Sequence, residues 1–202
     1  MEMDKEKSRP ELIILTAQKR FGIYGLQKTS MQEIANDLGL SKASLYYYFP
    51  DKETLYRAVI EKEQKEFLHM ISEKTSKMKD PGKLLLEYVT ARLDYFRTLL
   101  NLSSLRFEEF SYLKPIIRDL LDNFRENEKA ILSGILKNGI ETGDFAEMDT
   151  DETAYLFLDL LKGLRVSLIT SKNLMTLEPE EFDRLNNRTL AFTRIFIKGI
   201  KK

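Results

Sequence analysis

The chain has 202 residues, 43% of them hydrophobic and 32% charged, enough for one ordinary domain or a small domain joined to a larger one. Lysine plus arginine and aspartate plus glutamate number 32 each, so any nucleic-acid contact must come from a local patch and not from bulk positive charge. The absence of cysteine excludes disulfides, thiol redox chemistry and thiolate metal sites, and the single histidine, His69, excludes a histidine-rich one.

No apolar run reaches the length of a membrane span, and the opening MEMDKEK has mixed charge and no apolar core. A cytoplasmic protein with no membrane partner and no cofactor is expected. Alternating strand patterns are absent and helical periodicity runs throughout, so the chain reads as all-α. Five prolines, Pro10, Pro50, Pro81, Pro115 and Pro179, fall at expected helix starts or just before them.

Ser8 with Glu11 forms a capping box, and a helix follows to about Tyr24 with Leu12, Ile13, Ala17 and Phe21 as its buried stripe. Gly25 closes it. Thr29 with Gln32 predicts a second capping box, opening a short helix with Met31, Ile34, Ala35 and Leu38 inward and Gly39 at its end. Residues 41–55 then read SKASLYYYFPDKETL. Tyrosine favours strands, but Ser41 is a good N-cap, Ala43 a good helix former, and Pro50 cannot continue a helix.

On a 3.6-residue helix over 41–49, Leu45 and Phe49 share an apolar face, while Ala43 and Tyr47 share the opposite one, flanked by Ser44 and Tyr46. Lys42 lies in the first turn. A small residue there permits close backbone approach, and phenols with a lysine suit phosphates and base edges. On these residues alone, a short core helix with inward tyrosines stays open beside a recognition helix. The two capped helices separated by a glycine-containing turn have the helix-turn-helix layout.

Asp51 caps a long helix to about Met78, with Leu55, Val59, Phe67 and Ile71 inward. A helix over about 83–100 follows, then a short one from Leu105 to Tyr112, then one from Pro115 to about Thr142. Asp149 with Glu152 predicts a further capping box for a strongly apolar helix to about Ser171, and Pro179 opens the last helix.

The stretch from FGIYG through TSMQEIANDLGLSKASLYYYFPDKETL closely resembles the N-terminal domain of the TetR (tetracycline repressor) family of bacterial transcription regulators, over about residues 9–60. Cap, turn, Leu-Tyr pair, Phe and downstream Lys fall at family spacing. The rest resembles the family in helical layout only. The resemblance implies an N-terminal three-helix helix-turn-helix domain over residues 1–50, braced by the start of a linking helix at 51–78. A larger helical effector-binding and dimerisation domain would occupy 51–202. It also implies a homodimer whose two recognition helices enter successive major grooves of a palindromic double-stranded DNA operator.

Carried over by position, Thr29, Gln32, Lys42, Ala43, Ser44, Tyr46, Tyr47, Tyr48 and Lys52 face DNA. Tyr46 and Tyr47 read as phosphate donors, and Lys42 and Ser44 as candidates for base edges. Many family members have histidine where Tyr48 stands, which leaves Tyr48 between contact and packing. Gln32 stays open between a base edge and the capping box, and Lys52 between a phosphate and solvent.

Tyr88, Arg92, Phe96, Phe107, Phe110 and Phe124 lie on the helices that enclose the family's effector cavity, and an aromatic stripe at this spacing equally suits plain core. In the last two helices, Leu156, Leu160, Gly163, Leu164, Ser167, Leu168, Phe192 and Phe196 read as a dimer interface or as intramolecular core. The sequence therefore points to a ligand-responsive regulator released by a small hydrophobic effector. A second reading is an architectural or cell-division DNA-binding factor without an effector. An enzyme is not indicated, because no nucleophile–base pair, metal cluster or glycine-rich phosphate loop is legible.

Overall fold

The structure, a computed structural model, describes residues 8–75, 78–98, 107–169 and 179–202. Among the described residues the chain forms eight helices: α1 (Arg9–Tyr24), α2 (Met31–Asp37), α3 (Lys42–Tyr48), α4 (Lys52–Thr75), α5 (Pro81–Thr98), α6 (Phe107–Glu141), α7 (Thr150–Ile169) and α8 (Pro179–Ile200).

Local chemistry sets most of the ends. The Ser8 backbone N–H and hydroxyl donate to the Glu11 carboxylate at 2.7 and 2.9 Å and open α1. Gly25 and Gly39, at φ 82° and 63°, take the left-handed backbone that ends α1 and turns the chain after α2. Asp51 accepts the Thr54 N–H at 2.6 Å and caps α4, and Asp80 does the same for Lys83 in α5 at 3.0 Å. The α1 stripe is Ile13, Ala17 and Phe21 at four-residue spacing. Leu12, expected within it, is exposed, because one residue turns 100° around a helix.

Two further expectations need correction. The capping box of α2 belongs to Ser30 and Glu33, one residue on from Thr29 and Gln32. The expected break before Pro115 does not occur, and the two predicted helices are one, α6, with Pro115 inside it. Pro115 removes a backbone hydrogen bond and crowds the preceding turn. Leu113 and Ile117, fully buried on either side of it, hold the helix together through tertiary packing.

The buried residues form two clusters. The lower one unites Ile13, Ala17 and Phe21 of α1, Met31, Ile34 and Ala35 of α2, Leu45 of α3, Leu55 to Ile60 of α4, and Leu113 and Ile117 of α6. The upper one joins Phe67 and Ile71 of α4 to the inner faces of α5, α6, α7 and α8. Thus α4 and α6 each belong to both clusters. Phe145, in the turn between α6 and α7, is buried, and backbone bonds from Ala146 to Ile200 and from Lys202 to Asp144 tie the end of α8 to this turn.

Candidate nucleic-acid interface

The face of α3 follows from its two periodic pairs. Leu45 is fully buried and Phe49 nearly so, and both anchor in the lower cluster. Ala43 and Tyr47 therefore point to solvent, with Tyr47 84% exposed and Tyr46 and Tyr48 at 38% and 39%. An inward-packed aromatic core helix is thereby excluded.

Several polar ends on this face are engaged within α3 itself. Ser41 accepts the Ser44 N–H at 3.1 Å, and the two hydroxyls lie 2.8 Å apart. The Lys42 ammonium stands 5.7 Å from the centre of the Tyr46 ring, in cation–π range. Tyr47 and Tyr48 meet edge to face at 5.2 Å.

Beside α3 lies an open depression of about 530 Å³, lined by Lys28, Thr29, Ser30, Tyr46, Lys52 and neighbouring residues. It brings together Thr29, Tyr46 and Lys52 of the expected contacts, while Ala43, Ser44 and Tyr47 are outside its lining. The Lys52 ammonium donates to the carbonyls of Leu26 and Thr29 at 2.8 and 3.1 Å, so it knits the turn between α1 and α2 to the start of α4. The Thr29 side chain is buried and donates to the Gly25 carbonyl at 2.9 Å. Gln32 is released from capping and donates to Asn36 at 2.8 Å on the exposed side of α2.

The frame behind this surface is ionic. Arg20 of α1 forms hydrogen bonds to both carboxylate oxygens of Asp37, at the end of α2, and holds that carboxyl below its usual range. The Glu33 carboxyl is lowered first by the Ser30 N–H it accepts. Position alone does not reveal these partners. The Ser-x-x-Glu spacing of Ser30 and Glu33 is readable, but it competes with Thr29 and Gln32 one register away.

In the upper cluster, Tyr88 is fully buried and its hydroxyl donates to Glu128 at 2.5 Å, while Arg92 donates to the same carboxylate at 2.6 and 3.3 Å. Burial and then the Glu128 charge push the Tyr88 hydroxyl well up. Phe124 packs its ring 5.5 Å from Phe67. The side chains of Phe96, Phe107, Phe110 and Leu168 lie outside the described residues. Sequence reasoning missed Glu128, although it sits four residues from both Phe124 and Leu132 on an otherwise apolar stripe.

On α7, Leu156, Leu160, Gly163 and Ser167, spaced four, three and four, form one exposed line, with Leu156 56% exposed. On α8, Ile195 is 69% exposed. Leu164, Phe192 and Phe196 are partly buried against the upper cluster, the two phenylalanines at 6.0 and 4.7 Å from Phe157.

Two capped short helices, the second with an anchored inner face and a solvent-facing row of small and aromatic residues, define a helix-turn-helix DNA-binding protein. Residues 13–59 match the model of the bacterial regulatory proteins of the tetR family. A transcriptional regulator of Cytophaga hutchinsonii is 40% identical and superposes with a TM-score of 0.87 over 97% of this chain and all of that one. The transcriptional regulator RutR of Escherichia coli is 26% identical over 96% of this chain and 91% of its own. The transcriptional repressor BepR of Brucella suis is 26% identical over 76% of each. The chain belongs to the TetR family of DNA-binding transcription regulators. Among the described residues no helix is long and apolar enough to cross a membrane.

Proposed function

We propose that the protein is a ligand-responsive repressor, acting in the cytoplasm as a homodimer on a palindromic operator and released by a small hydrophobic effector. The observation that carries the DNA-binding part is the outward row Ala43–Tyr47 on a helix fixed from behind by Leu45 and Phe49. Residues 1–50 form the DNA-binding domain, and residues 51–202 hold the effector and the partner protomer. Ala43 lets the backbone approach the groove floor, and Lys42 and Ser44 supply polar atoms for base edges. Tyr46 and Tyr47 donate to phosphates and fix the register. Lys52 and the α1–α2 turn, with Gln32 beside them, form the flank that faces the backbone, and the buried Thr29 side chain supports that turn from within.

The exposed line Leu156, Leu160, Gly163 and Ser167, with Ile195, supports dimerisation, since an unpartnered apolar stripe on paired helices suits a four-helix bundle. Leu164, Phe192 and Phe196, partly buried against the upper cluster, back this interface, and Leu168 is assigned to it from its place in the sequence. The effector lodges among Tyr88, Arg92, Phe96, Phe107, Phe110 and Phe124 on α5 and α6. Because α4 spans both clusters, a shift there changes the spacing of two recognition helices that must sit about 34–36 Å apart. Only an effector with different affinity for the two spacings drives the change.

A second reading has its own support. Tyr88 and Arg92 already close on Glu128, which favours a DNA-binding factor that needs no effector. Selection of bound fragments from genomic DNA decides the class: a recurrent palindrome is expected, and random recovery overturns the regulator. Sedimentation showing a stable monomer at micromolar concentration overturns the dimer. A panel of small hydrophobic compounds, none of which raises the melting temperature or weakens DNA binding, decides for the second reading.

A further inference from the structure

Tyr47 is the most exposed large hydrophobic or aromatic side chain among the described residues, yet it is not loose. The Tyr48 ring meets it edge to face at 5.2 Å with an interplanar angle of 86°. Adjacent residues on a helix point 100° apart, so this contact bends the two rings toward each other across the helix surface. We infer that Tyr48 is a positioning residue, which holds the Tyr47 phenol in its DNA-contacting pose and is not itself a contact. The inference rests on α3 being the DNA-reading helix and assigns the one tyrosine of the triplet left between contact and packing.

The other polar groups of the face are ordered in the same way. Lys42 is drawn over Tyr46, and Ser44 is tied to Ser41. Tyr47 is the member with the most freedom to lose, because so much of it stands in water. A side chain that must be immobilised on binding weakens the complex, and one held in advance does not. Edge-to-face ring pairs are worth a factor of roughly 2 to 12 in an equilibrium. In a symmetric dimer on a palindrome the factor enters twice.

Three variants separate positioning from contact. Tyr48→Phe keeps the ring and removes the hydroxyl, and is expected to bind the selected operator within about twofold of the native chain. Tyr48→Ala removes the ring and is expected to weaken binding by roughly 5-fold per half-site, about 25-fold in all. In the Tyr47→Ala background, Tyr48→Ala is expected to cause no further loss, because its effect passes through Tyr47. A loss in Tyr48→Phe equal to that in Tyr48→Ala, or additive losses in the double variant, overturns the proposal.

Tyr48→Leu, which keeps an apolar side chain, replaces Tyr48→Ala if the latter does not fold. A readout without DNA accompanies these measurements. The Tyr47 ring protons, displaced by the ring current of Tyr48, are expected to shift in the NMR spectrum of Tyr48→Ala and to stay in Tyr48→Phe. Unchanged shifts in both overturn the ring contact. Recovery of no specific DNA by the native chain overturns the DNA-reading role of α3 while the NMR result still reports on the pair.

Discussion

Gly139 and Gly134 lie on the same helix and answer oppositely to the same substitution. A Cβ at Gly139 would stand 2.1 Å from a ring carbon of Phe145, and nothing lies within 4 Å of one at Gly134. Alanine is the better helix former by about 1 kcal/mol, so Gly134→Ala is expected to stabilise the protein by up to that amount. At Gly139 overpacking wins, and Gly139→Ala is expected to cost about 1–3 kcal/mol in urea denaturation. Equal effects at the two sites would refute this packing.

Glu128 is the other decisive residue: one buried carboxylate takes both Tyr88 and Arg92. Glu128→Leu strands the Arg92 charge and is expected to destabilise by about 3–5 kcal/mol. Adding Arg92→Met should recover part of that loss, since a buried ion pair replaced by apolar side chains is often neutral while the buried Tyr88 hydroxyl still lacks its acceptor. Denaturation of the single and double variants measures the recovery, and none would mean that the pair is itself a net source of stability.

At the scale of elements, α2 depends on its cap because seven residues make too few internal bonds to hold a helix alone. Ser30→Ala is expected to cost about 1 kcal/mol. Gln32→Ala, whose side chain reaches only Asn36, should stay within about 0.5 kcal/mol. The reverse order in thermal melts would restore the Thr29–Gln32 register. Helix α6 shows the opposite balance. Pro115 is a local stop signal that predicts a helix boundary, and the helix has none there. The stop is overridden because Leu113 and Ile117 flank it inside the lower cluster, a contact more than 50 residues from the α4 side chains it joins. Only nonlocal packing outweighs a broken helical bond there.

At the scale of the whole molecule, α4 and α6 carry both clusters, and Arg57 fastens one helix to the other. Its guanidinium donates to both Asp119 oxygens at 2.7 and 2.6 Å and to the Ile116 carbonyl. These bonds hold the Asp119 carboxyl down at about 2, against an ordinary value of about 3.9. A depressed carboxyl stabilises the fold above its unfolded value and loses that contribution as pH falls through the folded one. Asp119→Asn is therefore expected to lower the melting temperature near neutral pH, with the gap to the native chain closing between about pH 4 and about pH 2. A gap that does not change with pH would show that the carboxylate charge contributes nothing. The pair is largely exposed, so its contribution is modest and weakens with salt.

The all-α class, the capped short helices, the anchored inner face of α3 and the family were set by the sequence itself, because caps, turns and hydrophobic period act within a few residues. Short-range chemistry also fixed that Ala43 and Tyr47 oppose Leu45 and Phe49. The tertiary structure alone overrode a local stop signal and joined distant groups. It carried α6 through Pro115 and sent the Lys52 ammonium to the carbonyls of Leu26 and Thr29. It also gathered Tyr88 and Arg92 on the Glu128 carboxylate. The physical reason is the same in each case. The free energy that selects these arrangements comes from burial and pairing with residues far along the chain, and no local pattern records where those partners fall.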